Sequence, residues 1–146
     1  MEQTLTIRSM EPADAEAVAA LTRQLGYERG PEEIRAWIAE AGPDDRQAAF
    51  VARLEGKVVG WIEVSAERKL QSAPFALIGG LVVDEGVRSR GIGLVLLRHA
   101  EGWAWERGLE RVRVTSRSTR EAAHRFYLRD GYEAVKTSLV FEKKRR

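Results

Sequence analysis

Residues 4–8 alternate polar and apolar side chains with a period of two, the pattern of a half-buried strand. From Pro12 the period lengthens. Val18, Leu21 and Leu25 fall on one helical face, and Gly26 supplies a stop. Pro31 stands where a helix tolerates it, at the first turn, and Glu32 and Glu33 suit the positive end of the helix dipole. Ile34, Trp37, Ile38 and Ala41 form the apolar stripe of that helix, which Gly42-Pro43 ends. Residues 48–54 and 58–64, joined at Glu55-Gly56, read as a hairpin. Residues 75–83 form a nearly continuous apolar run, as in a strand buried on both faces, and Gly79-Gly80 within it signals a bulge or a close backbone approach.

Ile92, Leu96, Ala100, Trp103 and Ala104 line one face of a helix over 91–107, with Gly108 as its cap. Residues 111–115 alternate again. Ser118-Thr119-Arg120-Glu121 matches a capping box, which predicts a helix over 119–130 that Gly131 stops. Residues 132–142 supply one long or two short strands. The predicted order is β-α-α-β-β-β-α-β-α-β, a mixed α/β (α+β) arrangement. No repeat or linker marks a boundary, so residues 1–146 read as a single domain.

The chain of 146 residues is long enough to bury a core without disulfides or metal. Its 44% apolar and 32% charged residues fit a globular domain rather than a disordered one. No apolar run approaches the ~20 residues of a membrane span, and the first ten residues lack the basic start and apolar core of a signal peptide. A cytoplasmic location and no membrane partner are the expectation. With no cysteine and only His99 and His124, thiol chemistry and thiolate zinc sites are excluded, and no metal is expected.

Charge changes the picture more. Residues 1–50 carry five basic and ten acidic side chains, whereas residues 86–146 carry fifteen basic and seven acidic ones. Such asymmetry suggests that the second half meets an anion. The strongest place for one is Leu81-Val82-Val83-Asp84-Glu85-Gly86-Val87-Arg88-Ser89-Arg90-Gly91-Ile92-Gly93, where a buried strand gives way to a polar loop and a helix start. Backbone N–H groups there lack internal partners, and the helix dipole adds positive charge. Gly91 and Gly93 let a pyrophosphate approach the backbone, and Arg88 and Arg90 add charged donors. The plainer alternative is a tight strand-to-helix turn with exposed arginines. The dinucleotide fingerprint fails because Leu96 stands three residues after Gly93, and no Gly-Lys-Ser/Thr or Gly-x-Ser-x-Gly occurs.

Arg88-x-x-Gly91-x-Gly93 after Leu81-Val82-Val83 resembles the acetyl-CoA pyrophosphate loop of the GNAT superfamily of N-acetyltransferases. Downstream, Ala123-His124-Arg125-Phe126-Tyr127-Leu128-Arg129-Asp130-Gly131-Tyr132 is similar to the family's A-x-x-F-Y-x-x-x-G-F/Y signature. The resemblance implies a GNAT-like, mostly antiparallel twisted sheet flanked by helices. Its central parallel strands, here 75–83 and 111–115, splay apart to admit the cofactor. It also implies acetyl-CoA as co-substrate, held along Leu81, Val82 and Val83 by the pantetheine arm. Arg88, Ser89, Arg90, Gly91, Ile92, Gly93 and Leu94 would meet the pyrophosphate. Two departures stand out: Arg120 occupies the place of an asparagine that contacts the cofactor in many relatives, and Glu85 the place of a common proline. Arg120 is carried as a cofactor contact through phosphate, against the alternative that it faces water.

In the resemblance Tyr127 lies near the cofactor sulfur and donates a proton to the leaving thiolate. A phenol of pKa ~10 is protonated at neutral pH and suits that role; otherwise Tyr127 packs its helix as Phe126 does. Glu63, on the strand beside the cofactor strand, is the candidate general base, directly or through water, against the alternative of an outward-facing carboxylate. His99 and His124 read as surface histidines. Trp37 and Trp61 are candidates to line an acceptor pocket. The acidic first half, with Glu28, Glu32 and Glu33 over the acceptor side, favours a cationic amine, whether small molecule or peptide. The resulting reading is an N-acetyltransferase working by direct attack in a ternary complex, with room for a homodimer and no specific nucleic acid. A non-catalytic CoA-binding regulator and a basic nucleic-acid-binding module are the competitors.

Overall fold

The computed structural model describes residues 4–87, 90–116 and 120–145. They fall into two compact units, Met1–Val114 and Thr115–Arg146, which are taken in turn.

The first unit is built on a five-stranded sheet in the order β1-β2-β3-β4-β5. Strand β1 is Leu5–Ser9, β2 Gln47–Leu54, β3 Lys57–Lys69, β4 Ser72–Val83 and β5 Val112–Val114. The first four strands run antiparallel. The fifth pairs parallel to β4 and, among the described residues, forms the sheet edge. Strands β3 and β4 extend well beyond the predicted 58–64 and 75–83, meeting in a second hairpin where Lys69 opposes Ser72. The extension carries charged and small residues with no apolar alternation, so hydrophobic pattern could not reveal it.

Helices α1 (Ala15–Leu25) and α2 (Pro31–Ala41) lie on one face and α3 (Ile92–Glu106) contacts strands on the other. Ala15, Val18, Leu21, Ile34 and Ile38 close over Val51, Trp61 and Val82 on the first face. On the opposite parity of the strands stand Phe50 and Ile62, paired across β2 and β3, with the ring of Phe50 edge-on to His99 of α3 at 4.4 Å. A 3-10 turn, Pro12–Asp14, precedes α1. Asp14, only 6% exposed, pins it: Arg8 of β1 donates to both carboxylate oxygens at 2.7 and 2.8 Å, and the Glu11 N–H donates to one at 2.8 Å. Burial pushes the Asp14 carboxyl up, and its bonds from Arg8 and Glu11 more than reverse that, leaving it below its ordinary value.

In the second unit, α4 spans Glu121–Arg129, with Arg120 at the N-cap. The helix begins two residues later than predicted, and Ser118 and Thr119 of the expected capping box lie outside the described residues. No strand forms over 132–142, contrary to expectation. Val135, Leu139, Val140 and Phe141 are 72–90% exposed there. A strand-like pattern without a ladder partner gains neither hydrogen bonds nor burial, and among its described residues this unit contains no other strand to pair with.

Candidate active site around strand β4

The pairing of β4 with β5 covers only Ala76↔Val112, Leu77↔Arg113 and Ile78↔Val114. Strand β4 continues past it for five residues, from Gly79 to Val83, paired to β3 from Gly80 onward. The register shifts between Glu63 and Val64: Glu63 opposes Gly80 but Val64 opposes Ile78, so Gly79 is the extra residue of a bulge. This is the irregularity that the double glycine signalled.

The glycines do more than permit the bulge. A Cβ on Gly79 would come within 2.6 Å of Glu63 Oε1, and one on Gly80 within 2.7 Å of the Trp61 ring. The missing side chains therefore seat a carboxylate and an indole side by side over β4. Glu63 is half-buried, and no described residue gives its carboxylate a hydrogen bond or an ion pair. Burial pushes its pKa above the ordinary carboxylate value. Trp61 is 9% exposed and belongs to the core under α1 and α2, with Trp37 packed against that cluster. The Trp61 indole N–H is buried without a hydrogen-bond partner among the described residues. Both tryptophans thus belong first to the core, while the edge of Trp61 reaches the glycine pair.

Beyond the bulge the ladder is regular. The Asp84 N–H donates to Val59 O at 2.7 Å, which makes 59 and 84 a hydrogen-bonded pair. Alternation then directs the backbone groups of Val82 to β3 and those of Leu81 and Val83 away from it. Of these three predicted cofactor residues, Val82 buries its side chain in the core, at 4% exposure, and Leu81 and Val83 are half-buried.

Strand β4 leads through a 3-10 turn, Glu85–Val87, toward α3. Arg88 and Ser89 lie outside the described residues. Arg90 and Gly91 are exposed. Gly91 is the N-cap of α3 with φ of 77°, and a Cβ there would meet nothing within 4 Å. Among the described residues, no side chain caps this helix, and the first bond at its start runs from the Val95 N–H to Gly91 O at 3.2 Å. The N–H groups of Ile92, Gly93 and Leu94 fall in the first turn, where a helix presents donors outward. Ile92 buries its side chain, at 3% exposure, and anchors the helix start, whereas Leu94 is 38% exposed. An uncapped helix start, a left-handed glycine with open space and an adjacent arginine fit a pyrophosphate. No group of three or more His, Cys, Asp or Glu side chains gathers as a metal site among the described residues.

Local pattern did not reveal Gln24, in the last turn of α1. Its side-chain amide reaches the start of this loop, donating to Asp84 Oδ1 and accepting from the Glu85 N–H, each at 3.0 Å. The partners lie about sixty residues away in sequence, so no spacing rule could have found them.

In the second unit Tyr127 sits between Phe126 and Tyr132, with ring centroids 5.2 and 5.8 Å away. Burial pushes its phenol pKa above the ordinary value, and the positive charge of Arg120 partly offsets this. Arg120 is exposed and His124 half-buried. Of the acidic residues expected over an acceptor, two are ion-paired and exposed: Glu33 with Arg29 at 2.6 Å and Glu32 with Arg35 at 3.0 Å. Much of that negative charge is neutralised locally. Glu28 is exposed as well.

Among the described residues, no helix is long and apolar enough to cross a membrane. The profile of the acetyltransferase (GNAT) family matches residues 14–132. The chain is 25% identical to an aminoglycoside N(6')-acetyltransferase type 1 of Klebsiella aerogenes, over 98% of this chain and 99% of that one. It is 38% identical over 84 residues to an aminoalkylphosphonate N-acetyltransferase of Salmonella typhimurium, covering 57% of this chain and 54% of the relative. Its fold superimposes on an aminoglycoside N-acetyltransferase solved in complex with CoA, with a TM-score of 0.87 and 20% identity over 99% of this chain and 97% of that one. The family match spans the bulged strand, the glycine loop and the Phe126-Tyr127 helix alike. The chain belongs to the GNAT acetyltransferase family and is an acetyl-CoA-dependent N-acetyltransferase.

Proposed function

We propose that this enzyme acetylates a primary amine by direct attack in a ternary complex, with Glu63 as the proton acceptor. The observation that carries the reading is the half-buried Glu63 carboxylate. It is seated on Gly79-Gly80, with no partner among the described residues, where β4 runs on past its pairing with β5. A carboxylate raised in pKa, with no partner among the described residues, is better suited to take a proton than an ordinary one.

Leu81, Val82 and Val83 line the pantetheine arm, Leu81 through backbone groups turned away from β3. Gly91, Ile92, Gly93 and Leu94 offer N–H groups to the pyrophosphate, joined by Arg88, Ser89 and Arg90. Bound acetyl-CoA supplies the acetyl group as a thioester. Glu63 takes the proton that the amine gives up as its nitrogen bonds to the carbonyl carbon. A backbone N–H at the end of β4 donates to the carbonyl oxygen. Tyr127 gives its proton to the sulfur as the C–S bond breaks; burial, which keeps the phenol protonated, supports this role. Arg120, at the α4 N-cap, contributes charge toward the cofactor. Residues 1–146 work as one transferase domain, a reading supported by a family match that spans both units.

The acceptor we propose is a cationic amine. Glu63 supports this, because an unpaired carboxylate favours a cationic partner. The acceptors named for the relatives, an aminoglycoside and an aminoalkylphosphonate, are themselves amines. The test is free-CoA release across a panel of polyamines, aminoglycosides, aminoalkylphosphonates and peptides with acetyl-CoA. Turnover of at least one amine well above the hydrolytic background is expected. Turnover of none of these amines would overturn the assignment of a cationic primary amine as the acceptor.

A further inference from the structure

We propose that Gln24 is a positioning residue for acetyl-CoA binding: its amide clamps the end of α1 to the first residues of the pyrophosphate loop and holds that loop ready. The proposal rests on the reading of residues 84–94 as the pyrophosphate loop.

The geometry is that of a two-point clamp. Gln24 Nε2 donates to Asp84 Oδ1 and Gln24 Oε1 accepts from the Glu85 N–H, both at 3.0 Å. A carboxylate can only accept and a backbone N–H can only donate, so the two partners fix which way round the amide lies. No other side chain of this length offers both functions. A glutamate would set two carboxylates against each other, and a methionine would offer neither bond.

The clamp falls at a junction. The Asp84 N–H makes the last ladder bond to β3, at 2.7 Å to Val59 O, and its carbonyl accepts the Val87 N–H at 3.0 Å to close the 3-10 turn. Gln24 thus holds the two residues at which the chain leaves the sheet for the loop. On the far side of the loop, α3 is fixed through buried Ile92, while Gly91 itself has no side chain to hold it. Gly86 and Gly91 of this stretch are exposed, and fixing one end of a ligand-binding segment in advance lowers the cost of ordering it on binding. Gln24 is exposed and outside the core, so it adds little to packing. It also ties the loop to α1, which shares a packed core with Trp61 beside Glu63.

The test is calorimetric binding of acetyl-CoA with steady-state kinetics on Gln24→Met, Gln24→Glu and the double variant Gln24→Glu, Asp84→Asn. Gln24→Met should raise Kd and KM for acetyl-CoA by roughly three- to tenfold, the scale of one or two lost hydrogen bonds. Its kcat, KM for the amine and Tm should stay near wild type. Gln24→Glu should be at least as impaired, and the double variant, in which donor and acceptor exchange ends, should recover most of the affinity. Unchanged acetyl-CoA affinity in Gln24→Met overturns the clamp, as does a fall in Tm and kcat together with no change in Kd. Gly91→Ala separates the two readings. If it weakens CoA binding while Gln24→Met does not, only the clamp fails; if neither does, the loop assignment fails.

Discussion

The Glu63 carboxylate occupies the space that a side chain on Gly79 would need: a Cβ there would stand 2.6 Å from Glu63 Oε1. The neighbouring glycine is confined differently, since a Cβ on Gly80 would meet the Trp61 ring at 2.7 Å. A glutamate terminus can swing aside, whereas a buried indole cannot. Gly79→Ala should therefore leave stability nearly unchanged and lower kcat/KM for the amine by roughly ten- to hundredfold, the scale of a displaced reacting group. Gly80→Ala should destabilise the protein by about 1–3 kcal/mol, as overpacking does. Urea unfolding and initial rates on the two variants check the contrast.

Glu63 should also weaken the fold at neutral pH. Burial raises its pKa in the folded protein, so the folded state holds this proton more tightly than the unfolded state. Its contribution to stability is fully present below the unfolded pKa, ~4.3, and is lost as pH rises through the folded value. Glu63→Gln should therefore be more stable than wild type at pH 8, with the difference shrinking at pH 4. Unfolding free energies at the two pH values measure it, and a variant equally destabilised at both would contradict the desolvated state of the carboxylate.

The loop has a matched internal control. Gly91 and Gly108 have φ of 77° and 76°, and a Cβ on either meets nothing within 4 Å. Alanine at each should cost about 1 kcal/mol through left-handed strain alone. Only Gly91→Ala should also weaken acetyl-CoA binding, which calorimetry on both variants would read. Equal affinities would remove the pyrophosphate from this loop.

Tyr127→Phe keeps the ring between Phe126 and Tyr132 and removes only the hydroxyl. CoA affinity should change little, and the single-turnover rate should fall by roughly tenfold or more. Single-turnover conditions matter because product release can mask chemistry. A less stable variant with an intact transfer rate would return Tyr127 to a packing role.

Much of the first unit was legible because its signals are local. Pro31 and Gly42 bound α2, apolar stripes mark α1 and α3, and Gly79-Gly80 announces the bulge. What was not legible depends on partners distant in sequence. The length of β3 and β4 is set by their pairing with each other, beyond the reach of apolar alternation. Residues 132–142 carry a strand pattern that finds no ladder in their own unit. The glycine loop and the Tyr127 helix were readable as motifs. By contrast, the seating of Glu63 on Gly79 and the reach of Gln24 to Asp84 are tertiary facts. The arginine partners of Glu32 and Glu33 were within four residues, yet charge counting alone overlooked them.

The central claim is that Glu63 accepts the proton of the attacking amine. The most direct measurement is the single-turnover rate of acetyl transfer as a function of pH, in wild type and Glu63→Gln, at saturating acetyl-CoA and amine. Wild type should gain rate with pH through a limb set by deprotonation of Glu63 or of the amine. Glu63→Gln should fall by roughly 10²-fold or more and keep only a limb at the pKa of the amine. A variant within a factor of two of wild type, with the same pH profile, would contradict the account and assign the proton to ordered water.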